Sequence, residues 1–226
     1  MLVVPPVVGA CLTGWTWRHA LLLTAWLVGY LAYHAAGLWL RSRRRVRYRR
    51  PVVVYGAAGG VLLLALVVSA PRLLLWAPAF AVLAAVSLLA SLRRADRSWW
   101  NDAVTVLAAM LLTPVAADLG AHGADAARVW TATAVLAAYF LGTVPYVKSL
   151  IRERDDPRVY RASVAYHVVL AAAAALVDPV LGVVGVLLAL RAALVPWRWP
   201  RLRPAPVGAG EVVATLVVAA AVLVRV

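Results

Sequence analysis

The stretch RSRRRVRYRR, residues 41–50, places seven arginines between two apolar segments, and the pattern around it decides the fold class. Nineteen of the 23 basic residues fall in every second gap between apolar segments, and three fall in the gaps between those. The basic gaps cover residues 41–50, 93–97, 148–161 and 191–203. Gaps rich in Arg and Lys stay on the cytoplasmic side of a membrane. The alternation therefore predicts a polytopic membrane protein whose basic gaps face the cytoplasm.

The composition supports a membrane protein and excludes other classes. Hydrophobic residues make up 65% of the 226 residues and the mean hydropathy is +0.86, which is too apolar for a soluble domain of this length. The net charge of +14 comes from arginines at membrane ends, where anionic lipid attracts them, so we do not expect nucleic acid as a partner. The single cysteine, Cys11, excludes an internal disulfide.

Nine apolar segments can be delimited, of which eight suit a transmembrane helix. They are Leu2–Thr13, Ala20–Leu40, Pro51–Ala70, Leu73–Leu92, Trp99–Ala117, Val129–Tyr146, Ala162–Val177, Val180–Leu194 and Val207–Val224. This predicts an all-α transmembrane helical bundle forming a single domain over residues 1–226, with a cytoplasmic N-terminus and an extracytoplasmic C-terminus. The first segment is short and contains Pro5 and Pro6. It is either a partial helix packed against its neighbours or the remainder of a longer natural N-terminus.

Two histidines lie at similar depth inside apolar segments. His34 precedes Arg41 by seven residues, and His167 follows Arg161 by six. With a rise of about 1.5 Å per residue, both rings lie roughly 9–10 Å inside the basic ends of their segments. An intramembrane histidine commonly makes an interhelical hydrogen bond, and it is otherwise a candidate for a functional site. Two histidines at matched depth also fit axial ligation of haem, which would colour the purified protein.

Polar residues near the basic ends of two further segments add candidates. Tyr146 precedes Lys148, the only lysine in a chain that otherwise uses arginine, and a lone lysine suggests that a compact point charge is required there. Asn101 and Asp102 open the fifth segment. Asp102 is a helix N-cap, a salt-bridge partner of Arg97 or Lys148, or a functional carboxylate.

Four motifs carry a family resemblance. They are HAAGLWLR at 34–41, RVRYRRP at 45–51 followed by Tyr55-Gly56, Asn101-Asp102 with VTVL at 104–107, and YFLGTVPYVKSLIRER at 139–154. Together they resemble the YwiC-like family of bacterial integral membrane proteins. The resemblance covers most of the chain and implies a bacterial inner-membrane protein without an assigned activity. Family members usually carry a His-Gly-Ala-Trp motif before the stretch that matches Met1-Leu2. This motif is missing here, which fits a natural start upstream of Met1 and would remove a possible site residue.

A more distant resemblance connects the basic loops and nine spans to the UbiA-type intramembrane prenyltransferases. Those enzymes hold Mg²⁺ and a prenyl diphosphate between two Asp-rich motifs, because Mg²⁺ prefers carboxylate oxygens. Here no Asp or Glu occurs between Ala20 and Ala95, and Glu153, Asp155 and Asp156 of the sixth loop do not reproduce the motif. The resemblance implies a related helical architecture. Mg²⁺ is not expected, and the cofactor is left unassigned.

Two functional hypotheses follow. In the first, the protein is a degenerate prenyltransferase-like enzyme or binds an isoprenoid- or quinone-type lipid, with His34, Asp102 or His167 as the catalytic proton donor or acceptor. The head of the ligand would contact polar residues at the cytoplasmic mouth of one cavity: Arg41, Arg50, Asn101, Tyr146, Lys148, Arg152 and Arg154. In the second, the protein is a small transporter or an assembly factor for a respiratory complex. Membrane lipid is the expected partner in both. No metal site is predicted, and protein partners are left unassigned.

Overall fold

The computed structural model describes residues 1–95, 98–123 and 125–226, and within these residues the chain is helical without a β-strand. The helices are α1 Val4–Thr13, α2 Trp17–Arg41, α3 Arg49–Ser69, α4 Ala77–Leu92, α5 Trp99–Met110, α6 Leu112–Ala117, α7 Ala126–Leu150, α8 Pro157–Val177, α9 Pro179–Arg198 and α10 Pro204–Arg225. Two 3₁₀ turns, Val46–Tyr48 and Pro71–Trp76, precede α3 and α4.

Eight stretches of the described chain are long and apolar enough to cross a membrane, and the first helix is a shorter apolar one. Helices α5 and α6 together form one of the eight, Trp99–Ala117. The predicted all-α polytopic bundle, with eight full spans and a short first segment, is confirmed. We call the end of a span that adjoins one of the four basic gaps its basic end.

The helix starts follow from local sequence. Proline, which lacks an N–H and has a preset φ angle, occupies the first position of α8, α9 and α10. Asp156 caps α8 by accepting from the Arg158 N–H, and Asp178 caps α9 by accepting from the Val180 and Leu181 N–H groups. These caps fix where each span begins.

The chain forms two compact units, Leu2–Val129 and Trp130–Val226. We call them the N-terminal and the C-terminal unit. Each contains its own set of packed helices. The prediction of a single domain over residues 1–226 stays a prediction.

In the N-terminal unit, the short α1 packs against α6. A Cβ added to Gly9 would collide with the Thr113 carbonyl oxygen and approach the Ala116 Cβ to 2.9 Å, so only glycine allows this contact. Gly14 connects α1 to α2 with a φ of +84°, a conformation that side chains disfavour. His19 then ties α2 to α6, because its Nε2 lies 2.9 Å from the Ala116 carbonyl oxygen. The first segment is thus a partial helix packed against its neighbours.

In the C-terminal unit, α8 and α9 form an antiparallel hairpin connected by Asp178 alone. Gly182 faces Ala175 and Gly185 faces Ala171, at distances that leave no room for a Cβ on either glycine. Small residues let helix backbones approach closely, which is the usual basis of helix association in membranes. The hairpin therefore holds the side chains of its inner face in fixed positions.

Candidate functional site

The C-terminal unit contains an ion pair inside two of its spans. Arg191 Nη1 of α9 lies 2.8 Å from Glu211 Oε1 of α10, and each side chain is only 18% exposed. Arg191 lies seven residues before the end of α9, and Glu211 lies seven residues after the start of α10. At about 1.5 Å per residue, the pair is roughly 10 Å inside the basic ends. Ionised side chains at such depth are costly and mark functional sites by default.

The Tyr146 side chain connects this ion pair to His167. The Arg191 guanidinium lies 4.2 Å from the centroid of the Tyr146 ring, within the range of a cation–π interaction. The Tyr146 ring meets the His167 ring edge-to-face at 6.3 Å between centroids, and Tyr166 approaches His167 at 5.8 Å. Side chains from α7, α8, α9 and α10 therefore converge. We call Tyr146, Ser163, His167, Arg191 and Glu211 the polar cluster.

The hydrogen bonding of His167 fixes which ring nitrogen carries a proton. Its Nδ1 lies 2.8 Å from the Ser163 carbonyl oxygen, which only accepts hydrogen bonds, so Nδ1 is the protonated donor. In the neutral ring, Nε2 is then a bare acceptor. This atom is fully buried and has no hydrogen-bond partner. A Cβ on Gly142 of α7 would lie 3.2 Å from it, so Nε2 faces the α7 backbone at a glycine.

Further buried polar atoms of the cluster are unsatisfied. The Ser163 hydroxyl, the Nε, Nη1 and Nη2 atoms of Arg191 and the Oε1 atom of Glu211 make no hydrogen bond, so Arg191 and Glu211 attract each other by charge at 2.8 Å without hydrogen-bond geometry. Buried polar groups are almost always hydrogen-bonded, and each exception needs an explanation such as a bound ligand or a catalytic role. A ligand group that both donates and accepts hydrogen bonds would match the unpaired acceptor of His167 and the unpaired donors of Arg191.

Tyrosine hydroxyls hold the four helices around the cluster. Tyr139 of α7 bonds to Thr215 of α10 at 3.0 Å. The Tyr166 hydroxyl donates to the Ala138 carbonyl of α7 at 2.8 Å, and that of Tyr160 donates to the Ala193 carbonyl of α9 at 3.0 Å. These bonds constrain the positions of His167 and Arg191 because they lie on the same helices.

An apolar groove of about 800 Å³ runs between α8 and α9. Val164, Val168 and Ala171 line it, and they flank His167 along α8. Its volume falls within the range of roughly 300–1,000 Å³ that is common for small-molecule sites. The groove therefore offers apolar surface beside the helix that carries the buried histidine.

At the basic end of this unit, Lys148 is buried and its Nζ lies 3.9 Å from Glu153 Oε1. Arg152 and Arg154 are exposed in the turn between α7 and α8, and the Arg154 Nη2 donates to the Ile151 carbonyl at 2.9 Å. A pocket of about 400 Å³ opens beside this turn and includes Arg154 in its lining. No group of three His, Cys, Asp or Glu side chains comes together to hold a metal in the part of the chain that is described.

The N-terminal unit has a separate polar network near its basic ends. Tyr33 of α2 bonds to the Ser87 hydroxyl of α4 at 2.7 Å, and Ser87 donates to Asn101 Oδ1 of α5 at 2.8 Å. Asn101 is buried, whereas its neighbour Asp102 is half-buried. Gly37 of α2 faces Ser91 of α4, so the two helices approach closely at this level.

A family model for YwiC-like proteins matches residues 1–117. The chain belongs to the YwiC-like family. An uncharacterized protein of Haemophilus influenzae is 28% identical over 171 residues, which cover 76% of this chain and 71% of that protein. The uncharacterized protein YwiC of Bacillus subtilis is 28% identical over 170 residues, which cover 75% of this chain and 71% of YwiC. No solved structure matches the chain. The predicted YwiC-like resemblance is confirmed, and the UbiA-type resemblance stays an expectation.

The family model ends before the polar cluster begins, because the cluster spans residues 146–211. The motif at 139–154, one of the four that carry the family resemblance, contributes Tyr146 to the cluster and Gly142, which faces His167. The two relatives match about three quarters of the chain, which is more than the matched family region. The residues of the polar cluster all lie outside the family model.

The structure brings together two of the predicted site residues of this YwiC-like protein, Tyr146 and His167. Lys148, Arg152 and Arg154 follow at the end of α7 and in the next turn.

The other predicted residues belong to the N-terminal unit. His34 is exposed on α2, and Arg50 is exposed at the start of α3. Arg41 is half-buried, and its Nε donates to the Gly37 carbonyl at 3.3 Å. Asn101 joins the network with Ser87, and Asp102 lies in the first turn of α5. The convergence of both sets on one cavity stays a prediction.

Arg97, considered as a salt-bridge partner of Asp102, lies outside the described residues. The cap of α5 is Ser98, whose hydroxyl accepts from the Asn101 N–H at 3.4 Å. The role of Asp102 therefore stays a prediction.

The sequence reasoning missed Arg191 and Glu211. Both fall inside predicted apolar segments, Val180–Leu194 and Val207–Val224, yet Arg191 was counted with the basic gap that follows it. The signal that could have found them is the pair of opposite charges inside two consecutive spans, because each charge alone would be costly in hydrocarbon.

Proposed function

We propose that this protein binds an isoprenoid- or quinone-type lipid inside the membrane, with the head of the lipid at the polar cluster. The proposal also orients the chain in the bacterial inner membrane with the basic ends of its spans toward the cytoplasm, as the positive-inside rule predicts. The head would then lie roughly 10 Å inside the cytoplasmic surface of the C-terminal unit.

The observation that carries this proposal is the buried Nε2 of His167, which has no partner although it lies among side chains that are otherwise fixed by packing. Leaving a buried acceptor unsatisfied costs about 1–3 kcal/mol, a cost that a ligand removes by donating a hydrogen bond. The free donors of Arg191 on the neighbouring helix add a second point of attachment.

The apolar groove between α8 and α9 supports a ligand with a hydrocarbon chain. It is lined by residues such as Val168, Val186 and Leu190, whose side chains carry no polar atom. Such a surface binds an apolar chain without hydrogen bonds, while the polar cluster provides the few oriented polar groups that give a ligand site its specificity.

The test compares lipids that copurify with the wild-type protein and with a His167→Phe variant, by native mass spectrometry and by extraction with chromatography. Phenylalanine retains a planar ring of similar size but offers no acceptor. The proposal expects an isoprenoid or quinone at near one per protein in the wild type and a lower occupancy in the variant, as the loss of one hydrogen bond to the ligand weakens its affinity.

Tyr160→Phe is the matched control, since it removes a hydroxyl that bonds α8 to α9 outside the cluster. It should retain the ligand. His34→Phe reports whether the exposed histidine of the N-terminal unit contributes. Bulk phospholipid alone in the wild-type protein would overturn the proposal and favour a transporter or an assembly factor.

A further inference from the structure

The charge of the polar cluster limits the kind of head it can hold. Arg191 and Glu211 neutralise each other as an ion pair at 2.8 Å. His167 belongs to the same cluster and is fully buried. A second positive charge on its ring would be repelled by Arg191 and poorly solvated. The cluster as a whole therefore carries no net charge inside the membrane.

An anionic ligand head would give the polar cluster a net negative charge. A diphosphate brings at least two negative charges, and burying them requires opposite charges in direct contact. Other cations of the C-terminal unit, such as Arg152 in the exposed turn between α7 and α8, lie outside the cluster. Within the cluster, the positive charge of Arg191 is already compensated by Glu211.

The unpaired hydrogen-bonding groups of the polar cluster fit an uncharged oxygen-containing group on the ligand. Arg191 has N–H donors at Nε and Nη2, and His167 has an acceptor at Nε2. The Ser163 hydroxyl can act as either. A hydroxyl group on a ligand donates to His167 and accepts from Arg191 or Ser163, whereas a phosphate ester, ionised at neutral pH, offers acceptors alone.

We infer that the ligand of the polar cluster has an uncharged, hydroxyl-bearing head, as in a prenyl alcohol or a quinol, and is not a prenyl diphosphate. This inference rests on the proposed function and names the chemical class of its ligand. It assigns His167 as the acceptor for the ligand hydroxyl and the Arg191–Glu211 pair as a neutral donor group.

The experiment uses two probes that share one hydrocarbon chain and differ only in the head, geranylgeraniol and geranylgeranyl diphosphate. The full-length protein is placed in phosphatidylcholine nanodiscs, and binding of each probe is measured by native mass spectrometry. Decylubiquinol, kept reduced, serves as a third probe with a ring-bound hydroxyl. We expect the alcohol or the quinol to bind at least tenfold more tightly than the diphosphate.

The variant His167→Phe should weaken binding of the hydroxyl probe about tenfold, which is the effect of one lost hydrogen bond at the upper end of its usual range. Arg225→Gln, at the far end of α10, is the control and should leave that binding unchanged. Arg154→Gln tests the predicted contact of an anionic head. A His167→Gln variant restores an acceptor and a donor without the ring, and it should recover part of the affinity. Such a recovery would show that the loss in His167→Phe comes from the missing hydrogen bond and not from misfolding.

The outcomes separate the two proposals. Tighter binding of the diphosphate, with loss in Arg154→Gln rather than in His167→Phe, overturns the uncharged head and leaves an isoprenoid-binding protein. If the alcohol, the quinol and the diphosphate all fail to bind, the proposed function fails and the inference fails with it.

Discussion

Arg191 and Glu211, on consecutive spans, pair at 2.8 Å about two helical turns inside the membrane. Neither residue is needed for topology, because the basic residues that follow Arg191, from Arg198 to Arg203, already mark that end of the spans. The pair therefore has a local role. It holds α9 against α10 and places the guanidinium over the Tyr146 ring.

Glu211→Gln should destabilise the C-terminal unit, because it leaves the Arg191 charge uncompensated inside the membrane. Removing one partner of a buried pair costs about 3–5 kcal/mol, and the partial exposure of this pair lowers our expectation to roughly 2–4 kcal/mol. Unfolding of the purified protein in mixed micelles would measure it.

The double variant Arg191→Leu with Glu211→Leu should recover most of that loss, since neither charge remains to be buried. Arg225→Gln, which removes an exposed partner of Asp178, is the control and should cost much less. An effect of Glu211→Gln no larger than that control contradicts the buried-pair interpretation.

Gly142→Ala should separate α7 from α8. The added Cβ would lie 2.8 Å from the Tyr166 Cε1 and 3.2 Å from the His167 Nε2, so the helices must move. Overpacking of this kind costs about 1–3 kcal/mol. Gly208→Ala in α10 is the matched control, because its Cβ meets nothing within 4 Å. It should be neutral or stabilise by about 0.5–1 kcal/mol, as expected for Gly to Ala in a helix. Thermal unfolding of both variants in the same detergent measures the difference. Equal midpoints for Gly142→Ala and Gly208→Ala would contradict the close approach of α7 and α8.

The spans could be predicted from the sequence because hydropathy and the alternation of basic gaps depend only on composition along the chain. All eight long spans and the short first helix were located in this way. The motif at 139–154 also pointed to the C-terminal unit, where Tyr146 joins the cluster.

The direction in which each polar side chain points could not be predicted, because it depends on the rotation of each helix about its axis. His34 and His167 lie at matched depth by residue count, yet His34 is exposed and His167 is fully buried. Packing against Gly142 and Tyr146 of α7 decides the position of His167, and both of these residues lie more than 20 positions away in the sequence. Likewise, the partner of Glu211 lies 20 residues away on α9.

Tyr33→Phe should loosen the network of the N-terminal unit, since Ser87 loses its bond to the tyrosine hydroxyl. One neutral hydrogen bond contributes about 0.5–1.5 kcal/mol. A double-mutant cycle with Ser87→Ala measures the coupling between the two side chains. The expected coupling is of this size and positive, and additive effects of the two substitutions would show that the bond contributes nothing.

Acid should weaken the connection between the α8–α9 link and the end of α10. The Arg225 guanidinium hydrogen-bonds Asp178 and holds the pKa of its carboxyl below its ordinary value, and the Val180 and Leu181 N–H groups act in the same direction. A depressed pKa contributes stability that is present above the ordinary Asp pKa and is lost as the pH falls through the folded-state value. Stability of the wild type should therefore decline from about pH 4 downward more steeply than that of Asp178→Asn. If the unfolding midpoints of the two proteins change with pH in the same way, Asp178 makes no such contribution.

The proposed orientation places residue 47 in the cytoplasm and residue 123 outside. Both sites are exposed, and a Cβ at Gly123 meets no atom within 4 Å, so cysteine can be introduced at either. In a Cys11→Ser background, which removes the only native thiol, Gly123→Cys should react with a membrane-impermeant maleimide in intact spheroplasts. Arg47→Cys should react only after lysis, because the basic gap of residues 41–50 is retained on the cytoplasmic side. Lysed membranes label both variants and serve as the control. Labelling of Arg47→Cys in intact spheroplasts would reverse the orientation and place the polar cluster near the outer surface.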